Sequence, residues 1–395
     1  MTPKFIQIHF LAAWPGALLN RDDTGLAKRL PFGGATRTRI SSQCLKRHWR
    51  MADDPRALHA LARQEGIASE RSKVAIERLV IRPFEERFPS DMLEAVRDAF
   101  ISRYYGAKAP DPKQRQALLF GQPEIAFMRE QAERILSEAT DAKSAAALAA
   151  EWMKEERGNL VAMRDQVQLA AGLEAALFGR MMTSDAKANV DAAIHVAHAF
   201  TVHAEQPELD YFTVVDDLRK REEDADAGAA GVFDTELTSG LYYGYVVVDV
   251  PALVSNLTGC ARAEWAGDPD RALAARVVEN LVWLIAEISP GAKKGSTAPY
   301  SRAELMLVEA GDRQPRTLAN AFRDPVSLDY GQNASLGRRT ANCMGGFLTA
   351  LDAAYATGET RRHMALPDLR LPDIDAASLP DLAAWAGGIV RDAAC

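Results

Sequence analysis

A chain of 395 residues, 48 % hydrophobic and 26 % charged, is long enough to bury a sizeable core. Its formal net charge of −7 argues against a uniformly basic nucleic-acid binder, and its four isolated cysteines (Cys44, Cys260, Cys343, Cys395) argue against a disulfide framework or a cysteine zinc site. The longest mainly apolar stretch, Leu281 to Ile288, is far too short to span a bilayer, so no membrane partner is expected.

Residues 4–14 (KFIQIHFLAAW) alternate, with Ile6, Ile8 and Phe10 on one face and Gln7 and His9 on the other, which predicts a half-buried strand. The opening MTPKFIQIHF lacks the long apolar core behind a basic start of a signal peptide. With unpaired thiols, it points to a cytoplasmic protein. After a Pro-Gly turn comes Asn20 to Arg50, NRDDTGLAKRLPFGGATRTRISSQCLKRHWR. Lys28, Arg29, Arg37, Arg39, Lys46, Arg47 and Arg50 fall there, with no acid between Lys28 and Arg50. Since the whole chain carries −7 and these seven are all positive, the rest carries −14. Such segregation fits one narrow anion-binding groove on an otherwise anion-repelling body.

The same stretch holds devices that let backbone bind anions. Gly33-Gly34 permits a tight turn and close approach to a ligand. Arg37-Thr38-Arg39-Ile40 alternates like a strand, which would set both guanidiniums on one face. Ser41-Ser42 reads as the cap of a helix starting near Gln43, whose free N–H groups attract phosphate. Lys46 and Arg50 share one face of that helix, and Leu45 and Trp49 share another. A basic run is often only a solvated face, but here the cations coincide with a glycine turn and a capped helix start, which favours a polyphosphate track.

From about Asp54 to Gln168 apolar positions recur at three- and four-residue spacing, as in SDMLEAVRDAFISRYY, which predicts a helical insertion. Residues 173–182 (LEAALFGRMM) read as a buried strand ending at Gly179-Arg180. A helix follows, with Val190, Ala193, Ile194, Ala197, Phe200 and Thr201 on its inner face. Tyr211 to Asp249 has two apolar runs around an acidic middle (Glu222 to Gly228), the pattern of a long β-hairpin. Pro269 to Ile288 is an amphipathic helix capped by Asp268 and stopped by Pro290, and Glu304 to Glu309 is a strand. The C-terminal part, with Pro367, Pro372 and Pro380, reads as irregular packing and then a short helix. Strands interleaved with sheet-packing helices and insertions predict a ferredoxin-like (RRM-like) α+β core.

The chemistry of single-stranded RNA binding needs cations along the phosphates and apolar side chains against the bases. Met181, Met182, Phe212 and Leu237 are candidates for the second role, although such residues fill cores more often than they wedge bases. His195 and His198, at i,i+3 on the expected helix with Asp191 one turn earlier, could edge a metal site. No third ligand is placed by spacing, so structural histidines are expected, with no metal and no cofactor. Asp22-Asp23 could hold Mg²⁺ beside phosphate, or could cap a turn.

The run N-R-D-D-T, F-G-G, R-I-S-S-Q-C-L-K-R resembles the N-terminal signature of the CasC-type backbone subunit of the type I-E CRISPR Cascade complex. Further echoes are F-G-R-M-M-T-S (178–184), H-A-F-T-V-H (198–203), D-Y-F-T-V-V-D-D-L (210–218), S-G-L-Y-Y-G-Y (239–245), P-G-A-K (290–293) and L-A-N-A-F (318–322). The resemblance implies a right hand. Residues 1–53 would be an N-terminal part of the palm with the basic stretch, 54–170 helical fingers, and 171–210 palm again. Residues 211–245 would be a β-hairpin thumb, and 246–395 palm with a C-terminal packing segment. It also implies a non-catalytic role: copies polymerise head to tail along a CRISPR guide RNA and present its bases to target DNA, beside other Cascade subunits. Arg21, Lys28, Arg37, Arg39, Gln43, Lys46, Arg47 and Arg50 would hold phosphates with the backbone at Ser41-Ser42, and Phe212 on the thumb would displace a guide base. Two other readings remain: a metal-dependent ribonuclease using Asp22 and Asp23, and a structural oligomer whose basic face binds an acidic protein.

Overall fold

The computed structural model describes residues 2–106, 111–166, 169–182, 189–215, 229–267, 269–329 and 334–393. The expected acidic hairpin middle, with Asp216, Asp217 and Glu222 to Asp224, and the Asp268 cap lie outside the described residues.

The chain opens with β1 (Phe5–Ala17), β2 (Arg29–Phe32), β3 (Ala35–Ile40) and α1 (Ser42–Met51). Next come α2 (Leu58–Gln64), β4 (Ser69–Ser72), a π-helical turn at Ile76–Ile81, α3 (Ser90–Tyr105), β5 (Leu118–Gly121), α4 (Gln122–Glu138), α5 (Ala142–Gln166) and α6 (Leu173–Phe178). The next strands are β6 (Ile194–Val196), β7 (Ala199–Thr201), β8 (Pro207–Val215) and β9 (Ala229–Asp249). The chain ends with α7 (Val250–Thr258), α8 (Ala272–Glu287), α9 (Lys294–Thr297), β10 (Ala303–Gly311), α10 (Leu336–Tyr355), β11 (Thr360–Ala365), β12 (Asp375–Ala376) and α11 (Leu379–Arg391). It divides into two units. One is Met1–Ala52, Val196–Val247 and Val278–Ile389; the other is Asp53–His195, Val248–Val277 and Val390–Cys395.

The large sheet runs β12-β11-β10-β1-β9-β7-β3-β2, with β6 and β8 also paired to β9. Within it, β10-β1-β9-β7 has the strand order of a ferredoxin-like core, so the class is α+β as expected. β1 differs from the half-buried strand in one respect: both its faces are covered. Ile6, Ile8 and Phe10 are buried, and so are Gln7 and His9, whose polar atoms are met by Tyr245, Glu309, Arg316 and Tyr243. A polar side chain on a sheet predicts solvent only until another layer supplies its hydrogen bonds.

Two further expectations are corrected. Residues 173–178 form helix α6, not a strand. Gly172 and Gly179, at φ of 82° and 79°, punctuate both its ends, and Leu, Glu and Ala between them are good helix formers. Conversely, the helix expected around Val190 to Thr201 is replaced by β6 and β7. Phe200 and Thr201 pair with Tyr243 and Tyr242 of β9, and Arg39 and Ile40 of β3 pair with Phe200 and Ala199. A short apolar run reads equally well at either period, and strand partners far along the chain decide the matter.

In the second unit α3, α4, α5 and the π-helical turn share a core in which Phe100 stacks on Trp152 at 4.5 Å. The buried Arg180 guanidinium meets Glu124 at 2.7 Å, and Glu124 in turn accepts the N–H of Gly121 at the start of α4. Among the described residues, no helix is long and apolar enough to cross a membrane.

Candidate nucleic-acid interface

The basic stretch folds as a hairpin followed by a helix. Phe32 pairs with Ala35 across a two-residue turn in which Gly33 and Gly34 both take positive φ, 61° and 76°. Such a turn matches the twist of the flanking strands and demands glycine. The close approach expected at this turn is made to the protein itself: a Cβ on Gly33 would lie 1.5 Å from the carbonyl oxygen of Arg323.

Arg37 and Arg39 part company. Arg37 is 0 % exposed, and its guanidinium donates to the carbonyls of Thr201 (2.9 Å), Phe322 (3.0 Å) and Arg323 (3.3 Å), above the Phe32 ring. The phosphate role expected for Arg37 does not fit this placement, because segments far along the chain cover that face of β3. Arg39 stays half-exposed; its Nε donates to the Arg29 carbonyl at 3.0 Å and its guanidinium lies 3.3 Å from His198 Nδ1. Arg29 is consumed by Glu205 and Glu236.

His198 is exposed, and its pKa is lowered, first by partial burial and then by the charges of Arg39, Lys28 and Lys46. Three cations therefore act on one imidazole. Neither His195, on β6, nor His198, just before β7, lies on a helix, so the i,i+3 pairing is void. Among the described residues, no group of three or more His, Cys, Asp or Glu gathers as a metal site.

Helix α1 begins as the sequence predicts. Ser41 is its N-cap, and its Oγ accepts the N–H of Cys44 at 3.3 Å. Asn20 Oδ1 accepts the Ser41 N–H at 2.9 Å, while the Asn20 carbonyl accepts the Lys28 N–H at 2.9 Å, so one residue joins the loop to the helix start. Among the described residues no acceptor takes the N–H groups of Ser42 and Gln43, at the positive end of the helix dipole. Leu45 and Trp49 are buried, each stabilising by about 1.5–3 kcal/mol. Gln43 and Arg47 are exposed, and Lys46 and Arg50 are half-buried. Burial pushes the Cys44 thiol up to about 11, against the charges of Lys28 and Arg47.

One lysine not singled out in the sequence, Lys294, acts on α1, while Lys293, the last residue of the P-G-A-K echo, lies by the β8–β9 hairpin. His48 is held below its usual range, mostly by burial, but Lys294 and Arg47 also act on it. The ammonium of Lys293 donates to Thr235 Oγ1 and sits 5.3 Å from the Phe212 ring centroid. The available signal for Lys294 was its place next to the P-G-A-K echo, as the second of a lysine pair in an acidic chain.

The remaining candidates are scattered. Arg21 is exposed and bridges to Ala27. Asp22 Oδ1 accepts from Thr24 N–H (2.9 Å), Thr24 Oγ1 (2.7 Å) and Leu26 N–H (3.1 Å), a turn cap in which the Thr24 hydroxyl above all lowers its pKa. Asp23 is exposed. Met181 is 69 % exposed, whereas Met182, at 4 %, belongs to the core of the second unit and cannot reach a ligand from there. Phe212 is 40 % exposed on β8. Leu237 is half-buried and stands opposite Glu208; the register partner of Phe212 is Phe233.

A family model described as CT1975-like protein matches residues 6–385. A comparison with curated proteins finds no match. Among solved structures, the chain superimposes on one titled "CRISPR RNA-guided surveillance complex, pre-nicking" with TM-score 0.70 and 23 % identity, covering 98 % of this chain and 100 % of that one. A second, titled "CRISPR RNA-guided surveillance complex", gives TM-score 0.56 and 20 % identity, covering 97 % and 98 %. At these identities the likeness establishes the fold.

Proposed function

We propose that this chain, which belongs to the CT1975-like protein family, is a backbone subunit of a CRISPR RNA-guided surveillance complex and holds the guide RNA by its phosphates. The observation that carries this reading is the half-exposed Arg39, whose guanidinium lies 3.3 Å from His198 Nδ1 and whose N–H donates to the Lys28 carbonyl, beside the start of α1, where Ser41 and Ser42 are buried and Gln43 is exposed. Cations at the rim of a helix start, with unclaimed backbone N–H groups between them, suit a phosphodiester chain and ask nothing of its sequence. Arg47 and Lys294 extend the track along α1, and Arg21, Gln43 and Arg50 flank it. The whole-length likeness to chains of two such complexes supports the reading.

The finer picture is also proposed. The chain acts in a type I-E complex of the cytoplasm, without catalysis of its own. It repeats head to tail along the guide beside other Cascade subunits, and leaves specificity to pairing between guide and target DNA. The β8–β9 hairpin is its thumb, with Phe212 against a guide base, and part of the second unit is its fingers.

The deciding experiment is expression of the chain with a guide RNA. The absorbance ratio and length profile of copurified nucleic acid should show RNA of discrete lengths, protected from added nuclease in EDTA. Purified protein free of nucleic acid, with no affinity for added guide, would refute the reading.

A further inference from the structure

We infer that Arg37 is a positioning residue, a buried brace that fixes the β2–β3 hairpin so that Lys28 and Arg39 stand where phosphates pass. The inference rests on the guide-RNA reading above. Arg37 and Arg39 lie two apart on β3, yet only Arg39 reaches the surface. The Arg37 guanidinium spans two separate segments, at Thr201 on β7 and at Phe322–Arg323. Among the described residues no carboxylate pairs with it, and burial lowers its pKa.

A guanidinium buried without a counter-charge costs stability, and a planar fork offering several fixed donors is one of few groups that can tie three carbonyls at once. Gly33 packs against the same Arg323 carbonyl so closely that a Cβ there has no room. That anchoring segment is itself held to the sheet. The Arg316 N–H donates to Gln7 Oε1 at 2.8 Å, and the Leu318 N–H donates to the Tyr243 hydroxyl at 3.0 Å. From the braced hairpin the geometry passes to the track directly, since the Arg39 N–H donates to the Lys28 carbonyl at 2.8 Å. A shift of β3 therefore moves both phosphate-facing cations together.

Two measurements test this. First, the unmodified chain is treated with hydroxyphenylglyoxal, free and bound to guide RNA, and modified peptides are mapped by mass. Arg39 should react in the free chain and be protected by RNA, while Arg37 should react in neither. An Arg37 that reacts when free and is shielded by RNA overturns the inference, and this arm needs no variant to fold. Second, RNA affinity is followed against salt. Arg37→Lys and the uncharged change Gly33→Ala should each weaken binding about tenfold or more, the effect of about 1.4 kcal/mol, with an unaltered salt slope. A slope lowered by about 0.7 in Arg37→Met, the loss of one single-strand phosphate contact, or full affinity in Arg37→Lys, overturns it. Failure of the unmodified chain to bind RNA overturns the proposed function and this inference with it; the other outcomes overturn this inference alone.

Discussion

His9 Nε2 lies 2.9 Å from Glu309 Oε2, with both side chains fully buried between β1 and β10. The geometry fits a neutral imidazole that donates from Nε2 to Glu309 and accepts at Nδ1 from the Tyr243 hydroxyl, 2.9 Å away. Burial holds the His9 pKa below its usual value. Burial alone would raise that of Glu309, but hydrogen bonds from Arg316 and His9 outweigh it and set that carboxyl far below the carboxylate range.

The pH dependence of stability follows. Burial likewise lowers the pKa values of His48, His203 and His363. An unfolded chain gains these protons near pH 6.5 and the folded one resists, so stability falls as pH drops below that value. The Glu309 contribution, fully present above about 4.5, is lost on further acidification. Urea midpoints should therefore decline from pH 7.5 to 5.5; flat or rising midpoints would contradict the assignment. Glu309→Gln, which removes the carboxylate facing Arg316 while Arg361 keeps Asp352 and Glu359, should cost about 3–5 kcal/mol.

The helix start gives a second expectation. Ser41→Ala should cost about 1 kcal/mol in denaturant unfolding, whereas Ser41→Gly should cost only a few tenths. Equal losses would mean that the Oγ cap on Cys44 is not the cause.

Along the track, Arg39→Ala, Lys46→Ala and Lys294→Ala should each lower the salt slope of RNA binding by about 0.7, and equally for guides of unrelated sequence. A loss confined to one guide would show base reading instead.

Asp22 and Asp23 should be dispensable for bond cleavage, since the Asp22 carboxylate already closes its own turn. RNA incubated with the protein and Mg²⁺ should stay intact. Cutting that Asp23→Ala abolishes would make the chain a nuclease.

Phe212 should act on bases and not on assembly. With Phe212→Ala, arrays on a long guide should keep their size in gel filtration, while regularly spaced guide bases become more open to chemical probing. Unchanged probing would mean that the ring does not bear on guide bases.

Much of the site was legible because it depends on neighbours in sequence. The Gly33-Gly34 turn, the Ser41 cap and the buried Leu45–Trp49 face are set within a few residues of themselves, by φ, by one side-chain hydrogen bond and by the period of a helix. The α+β class followed from the same local rules. The two misread segments, 173–178 and 194–201, are short apolar runs in which those rules are silent.

What the sequence by itself determined, then, is where the positive charge collects and which local elements carry it. Which cations face outward was decided by the tertiary structure. Arg37 and Arg39 share a strand face by parity, but Thr201, Phe322 and Arg323 arrive from 164 to 286 residues away and roof over only the first. Met181 and Met182 diverge in the same way, one exposed and one in a core. Lys294 acts on His48 of α1 from the other end of the chain. Periodicity fixes the direction of a side chain relative to its own backbone. Whether solvent or protein lies in that direction depends on segments brought there by folding.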